Sequence, residues 1–393
     1  MYSQSFTPIN LYSCTTQMER RNSGLKKEEF IKAIKDELGE SLIDGTYQFQ
    51  IKKSNELYLN GRKKGEFNHL CQNLILRKLF NNIKRIYSIQ QADRNSIIKE
   101  IKILLEENVD MHIVRLDVRH FYESIIRDNV LNRIVIDSRL SHHSIMLLTV
   151  LFNNPVIKAS EGLPRGLGIS AVMAEMYMKY FDLEIKRIPG VYYYARFVDD
   201  IIVFCSSDES QEVVWKSAEK GLSELGLELN KEKSYRWRPS PNTQELTYLG
   251  YAFQKNNNHL DISIAAKKLK TIKTKITKAF VSYSKCHDFS LLKQRIKFLT
   301  GNYTLYRSDS LAPIKVGIYF NYKMATNIKP LIELDRYYQR LLHCQTGRLG
   351  SKVSLPKANM KSLEKYSFRF GYENHVNHYF TLAQIEKITE CWR

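Results

Sequence analysis

The chain has 393 residues, 43% of them hydrophobic, and sets 60 Lys and Arg against 41 Asp and Glu for a formal net charge of +19. That apolar content excludes wholesale disorder, and the charge suits a polyanion, because each phosphate neutralised releases condensed counterions. The six cysteines form no CxxC pair, the start is polar, and no run is long enough to cross a bilayer; zinc ribbons, disulfide frameworks and secretory leaders drop out, leaving the expectation of a cytoplasmic protein without a membrane partner.

Residues 1–25 read as a loosely held arm. From there to about residue 110 the pattern is mostly helical: Leu70, Leu74, Leu79, Ile83 and Tyr87 recur at helical spacing, and Ile97, Ile101 and Leu104 follow Asp93, an N-cap residue. HIVRLDV (112–118) reads as a strand and FYESIIRDNVLNRIV, after it, as one helix. The turn EGLPRGLG (161–168) opens another helix, ISAVMAEMYMKYFDLEI. VYYYARF (191–197) and IIVFC (201–205) read as a hairpin whose turn holds Asp199 and Asp200. A helix over 211–225 and a short strand pair ending in LTYLGYAF (246–253) complete an α+β layer.

Beyond residue 260 helices return. Leu269, Ile272, Ile276 and Phe280 form an apolar stripe, and Lys267, Lys270, Lys273, Lys275 and Lys278 fill the other faces. Residues 261–300 hold ten Lys and Arg against two Asp. Such a face is either merely solvated or, as we expect here, laid along the backbone of a duplex.

Singly these features are ordinary. An Asp pair suits a tight turn, and GLPRG is turn chemistry in its own right. In this order they point to nucleotidyl transfer, which needs two divalent cations about 4 Å apart held by carboxylates on rigid strands. Asp117 on one strand beside Asp199 and Asp200 on a hairpin would provide them, with oxygen ligands of the kind magnesium prefers.

The same blocks resemble the reverse transcriptases of bacteria and mobile elements, the retron and group II intron-like enzymes. DVRHFYESI resembles motif A, GLPRGLGIS motif B, RFVDD motif C, LGLELNKEKS (225–234) motif D and YLGY (248–251) motif E, in family order over roughly residues 65–305. The resemblance implies an α+β right-hand polymerase: an N-terminal arm and fingers over 1–110, a palm over 111–260, and a helical thumb with a C-terminal extension over 261–393. It implies Asp117, Asp199 and Asp200 as catalytic ligands of two Mg2+ ions, for which Mn2+ can substitute. Tyr122 falls at the steric gate, where a ring would exclude a ribose hydroxyl by shape; its other reading is a core aromatic. Arg94, Arg165 and Gly166 fall among the nucleotide contacts, with Ser170 at a backbone-close position of motif B. Lys233 matches the motif D lysine that assists pyrophosphate departure, or is a solvent lysine. Tyr248 and Gly250 of the primer grip join Lys267, Lys270, Lys275 and Lys278 as nucleic-acid contacts.

Two positions depart from the family pattern. Arg165 stands where motif B commonly has Gln, and Phe197 replaces the usual tyrosine of motif C, which leaves template choice and priming open. The phrases GLPRGLGISA, YYYARFVDDIIVF and RIKFLTGNY resemble most the defence-associated reverse transcriptases of bacteria, with type 3 as the candidate subtype. That branch implies an RNA-directed DNA polymerase adding dNTPs to a 3′-hydroxyl on a non-coding RNA template, with a DNA product strand and a role against phage. Template-independent or protein-primed synthesis, and a non-catalytic RNA-binding scaffold, are the alternatives. A second polymerase subunit or a homo-oligomer is left open.

Overall fold

The computed structural model describes residues 2–392 apart from 43, 55–56, 108, 240–244, 257–258, 306–312, 351–352 and 354. It divides into two compact units, one of residues 1–97 with 109–238 and the other of residues 98–108 with 239–393.

The first unit begins with helices α1 (Pro8–Tyr12), α2 (Gln17–Ser23) and α3 (Lys27–Leu38), a hairpin of β1 (Ile51–Ser54) and β2 (Leu57–Asn60), and the long α4 (Phe67–Ile86). Residues 2–25 are therefore no loose arm. Phe6 and Leu11 are buried, Arg77 of α4 grips both oxygens of Glu19 at 2.8 and 2.6 Å, and Lys78 donates to the Ser3 carbonyl at 2.6 Å. Two apolar anchors are too few to show a period, and the polar partners lie about sixty to seventy-five residues away, so no local signal marks the docking. Asp93 does cap α5 (Arg94–Glu106), accepting from the Ser96 amide at 2.9 Å.

An antiparallel sheet forms the centre of this unit. β3 (His112–Arg119) lies between β5 (Asp200–Cys205) on one side and, on the other, β7 (Tyr235–Trp237) and β6 (Glu228–Leu229) in succession; β4 (Val191–Phe197) flanks β5. Val114, Leu116, Val118, Ile201 and Val203 are buried, as a strand flanked on both edges and covered by helices requires. α10 (Gly168–Lys186) and α11 (Asp208–Glu224) pack against the sheet. The stretch after β3 is two helices, α6 (Phe121–Ser124) and α7 (Arg127–Asp137), where one was expected. Ile125 and Ile126 between them are extended, Ile125 fully buried and Ile126 exposed. Two adjacent β-branched residues readily take that conformation, and it sends one into the core while the other leaves it. α8 (His142–Phe152) and α9 (Pro155–Lys158) lead to the loop before α10.

The second unit holds an antiparallel sheet of β8 (Leu246–Tyr248), β9 (Tyr251–Asn256) and β10 (His259–Ile264), followed by α12 (Ala266–Cys286) and further helices to the end. Leu249 and Gly250 join β8 to β9 with φ of 46° and 85°, the left-handed pair of a two-residue hairpin turn. Ile276 and Phe280 of α12 are buried, while Leu269 and Ile272 are only partly so.

Candidate active site

The three aspartates are brought together by strand register. Asp117 of β3 is the cross-strand partner of Asp200 of β5, and Phe197 of β4 pairs with Asp200 on its other side. The β4–β5 turn is thereby reduced to Val198 and Asp199. Val198 sits at φ 61°, an uncommon place for a β-branched residue and strained by about 1–3 kcal/mol. Two hydrogen bonds hold the turn there: the Val118 amide donates to the Asp199 carbonyl at 3.1 Å, and Arg196 Nη1 donates to the Val198 carbonyl at 3.1 Å.

Arg196 is itself buried and locked by α10. Its guanidinium meets Glu175 at 2.7 and 3.1 Å and Asp182 at 2.8 Å through two nitrogens, so its charge is held still more firmly than usual. Burial pushes the Glu175 carboxyl up against the pull of Arg196. Glu175 and Asp182, seven apart on one helix face, are the one sequence signal for this clamp; nothing local links them to Arg196.

Two of the three carboxylates are paired with cations. Lys233 Nζ lies 3.1 Å from Asp117 Oδ1, and Arg115 Nη2 lies 3.2 Å from Asp200 Oδ1. Lys233 arrives through the segment after β6, which is stitched to β3: the Asn230 amide donates to the Asp117 carbonyl at 2.8 Å, and the Asp117 amide donates to Ser234 Oγ at 3.0 Å. Arg115 stands two residues before Asp117, hence on the same face of β3. The Asp199 carboxylate has no hydrogen-bonded side-chain partner among the described residues. Burial first, then the charges of Asp200 and, more weakly, Asp117, raise its carboxyl above the usual range. Burial also raises Asp200 despite Arg115, and Asp117 pushes it the same way.

This crowding of negative charge fits a divalent cation, since all the donors are hard oxygens and the cluster holds protons more tightly than free carboxyls do. Among the described residues no three His, Cys, Asp or Glu side chains gather closely enough to ligate one ion. Asp117 and Asp200 are turned to their own cationic partners, and water and substrate oxygens commonly complete such shells.

The loop before α10 sets the neighbouring wall. Gly162 is at φ 70°, and a Cβ there would meet the Glu123 carbonyl at 2.3 Å. A Cβ at Gly166, φ 95°, would meet the Tyr58 carbonyl of β2 at 2.6 Å. Two main-chain bonds follow: the Leu163 amide donates to the Tyr122 carbonyl and the Tyr58 amide to the Arg165 carbonyl, both at 2.7 Å. Arg127 spans the carbonyls of Ile157, Ser160 and Gly162, and Ser170 Oγ donates to the Pro164 carbonyl at 2.7 Å. Tyr122 is half-buried against the core, and the Arg165 guanidinium lies 5.7 Å from its ring centroid while paired with Glu123. Burial, Glu175 and Asp199 together push the Tyr122 phenol up, which places it electrostatically beside the acids.

Residues 62–253 match the family model described as reverse transcriptase (RNA-dependent DNA polymerase). The match spans just under half of the chain, and reverse transcriptases are what those residues are similar to. The fold mixes helices with antiparallel sheets. Among solved structures, apo telomerase of Candida tropicalis truncated from its C-terminal domain has a TM-score of 0.38 at 13% identity, covering 56% of this chain and 54% of that one. Candida albicans telomerase in complex with a TWJ fragment of telomeric RNA has a TM-score of 0.36 at 11% identity, covering 81% and 53%. The chain thus spans about half the length of these telomerases. No curated protein matches it.

The remaining expected contacts fall outside this cluster or in the other unit. Arg94 is the first residue of α5 and half-buried. Within the matched residues Tyr248 is only 1% exposed, so its ring cannot touch a strand; the β8–β9 turn can offer only what lies at Leu249 and Gly250. The apolar partner strand β9 takes the ring inward. Beyond the matched residues, Lys267, Lys270 and Lys278 are exposed on α12, whereas Lys275 Nζ lies 5.4 Å from the Trp392 ring centroid.

Proposed function

We propose that the chain is an RNA-directed DNA polymerase that adds dNTPs to a 3′-hydroxyl, with Asp117, Asp199 and Asp200 as its metal-binding carboxylates. The observation that carries this reading is the register that pairs Asp117 with Asp200 and leaves Asp199 on the strained turn beside them. Two Mg2+ ions bound there would activate the attacking hydroxyl and hold the triphosphate. The protein's own groups do the rest. Lys233 holds a charge and a proton beside Asp117, where a departing pyrophosphate could take them. Tyr122 presses on the sugar and excludes the 2′-hydroxyl by shape. Arg165, freed from Glu123, offers a planar fork suited to phosphate, and Gly166 lets the nucleotide approach the main chain.

In this reading residues 1–110 are the N-terminal arm and fingers, 111–260 the palm, and 261–393 the thumb and extension, whose lysines on α12 track the duplex. The template is a non-coding RNA, and the product serves a bacterial defence against phage in the cytoplasm; the phrases around motifs B and C support that branch. Primer extension with Asp117→Asn and Asp199→Asn tests the chemistry, and sequencing the nucleic acid that co-purifies tests the template. Normal incorporation by both variants would overturn the site. The ion pairs on Asp117 and Asp200 favour one second reading, a scaffold that binds RNA without catalysis, since they reduce the cost of keeping those acids without metal. Wild-type protein that binds RNA yet extends no primer would establish it.

A further inference from the structure

A cavity of about 570 Å3 opens beside the end of α4, and a neighbouring one of about 580 Å3 shares Tyr2, Ser13, Lys78 and Arg85 with it. Lys78, Lys84 and Arg85 line the first, together with Asn81 and Cys14, and no carboxylate lines either. Lys78 is 4% exposed. Its ammonium meets the Ser3 carbonyl at 2.6 Å and the Tyr2 hydroxyl at 3.3 Å, and it has no carboxylate partner among the described residues. The Tyr2 ring is held in place by both cations, with Lys78 Nζ at 4.5 Å and Arg85 Cζ at 4.7 Å from its centroid. Burial lowers the hold of Lys78 on its proton, with Arg85 adding to the effect.

A buried cation without an anion is costly; Lys78 carries that deficit, and the exposed Lys84 and Arg85 add positive charge around the same space. A guanidinium fork, two ammonium groups and an amide are the donors that recognise phosphate. The volume lies within the range of about 300–1,000 Å3 typical of sites for small groups. Lys84 and Arg85 stand exposed, where phosphates flanking a seated one would lie.

We propose that this cavity is a phosphate site that grips a single-stranded nucleic acid, formed by Lys78, Lys84, Arg85 and Asn81 beneath the N-terminal residues. It lies apart from the carboxylate cluster in sequence and lining, and goes beyond the catalytic reading. Docking of residues 2–25 onto α4 is what builds it, because Tyr2 and Ser13 supply part of its wall.

Cys14, half-buried in the wall, reports on occupancy. The labelling rate of Cys14 by iodoacetamide would be read by mass spectrometry on the full chain without divalent metal, with a short single-stranded oligonucleotide, dTMP or inorganic phosphate added. The oligonucleotide should slow labelling at concentrations where dTMP and phosphate do not. Lys84→Gln with Arg85→Gln should abolish the protection, and Lys84→Gln alone, which leaves Arg85 over the Tyr2 ring, should weaken it. The same pair should flatten the salt dependence of oligonucleotide binding by about 1.4 in log–log slope, for two phosphates at about 0.7 each on a single strand. Lys78→Met should also abolish protection. Equal protection by dTMP would overturn the strand assignment in favour of a free nucleotide. Protection that survives the double variant, or never occurs, would overturn the site. Both readouts omit metal, so a catalytically dead centre leaves them unchanged.

Discussion

Asp117 and Asp200 face each other across β3 and β5, and each is met by a different cation, Lys233 at 3.1 Å and Arg115 at 3.2 Å. The pair is held apart from mutual contact by charge while the main chain forces it into register. Asp199 has no hydrogen-bonded side-chain partner of its own among the described residues, and burial first, then the charges of Asp200 and Asp117, raise its carboxyl.

Asp117→Asn or Asp199→Asn should lower nucleotide incorporation by about a hundredfold to a thousandfold or more, the loss typical of removing one electrostatic element from an active site. Circular dichroism should show an unchanged fold. Primer extension on an RNA template checks the first part.

The raised carboxyls also set a stability trend. An acid whose folded pKa lies above its unfolded value favours the fold while protonated and loses that advantage as pH rises through the folded value. Metal-free Asp199→Asn should therefore melt above the wild type near pH 7, and the gap should close below about pH 4, the ordinary aspartate range. Adding Mg2+ should raise the wild-type melting temperature more than that of the variant. A gap that is constant with pH would remove charge crowding as its cause.

Arg196→Ala leaves Glu175 and Asp182 facing each other in the interior and frees the Val198 carbonyl. Breaking one side of such a buried network costs about 3–5 kcal/mol. Urea unfolding should show the loss, and Arg196→Lys should restore only part of it, because an ammonium cannot grip both acids with a fork.

Lys267→Gln, Lys270→Gln and Lys278→Gln together should flatten the salt dependence of duplex binding by about 0.9 for each phosphate no longer neutralised. Lys275→Gln should contribute less, since its ammonium already lies over Trp392. An unchanged slope across a salt titration would make α12 a merely solvated face.

Tyr122→Ala or Tyr122→Val should shift the ratio of kcat/KM for dNTP over rNTP toward rNTP on one RNA template. An apolar pocket discriminates against an added hydroxyl by only about a hundredfold, so rejection by the ring should account for any excess over that. The ring is half-buried, with the Arg165 guanidinium 5.7 Å from its centroid. A ratio that stays put would leave Tyr122 as a core aromatic.

The sequence discloses most of this wherever the signal is local. Alternation and β-branching mark β3, β4 and β5, the β4–β5 hairpin is legible although its turn is Val198–Asp199 with Asp200 already in β5, and the EGLPRGLG turn announces α10. What it hides is held by partners distant along the chain. Lys233 is singled out by motif D, yet its ion pair with Asp117 depends on hydrogen bonds that join Asn230 and Ser234 to the Asp117 main chain, and Arg196 is one basic residue among sixty. The docked N-terminus leaves no local trace because Glu19 and Arg77 are fifty-eight positions apart. Tyr248 misleads for the opposite reason: its motif position is legible, but which way its ring turns depends on β9.

Three segments remote in sequence meet at the loop before α10 through two main-chain hydrogen bonds: Tyr58 to Arg165, and Leu163 to Tyr122. Every residue except proline carries the amide such a joint requires. Side chains along the β1–β2 hairpin and the loop can therefore drift without severing the linkage, and selection can retune what the pocket admits while its hinge stays whole. Proline at 58 or 163 is the change this region would not survive.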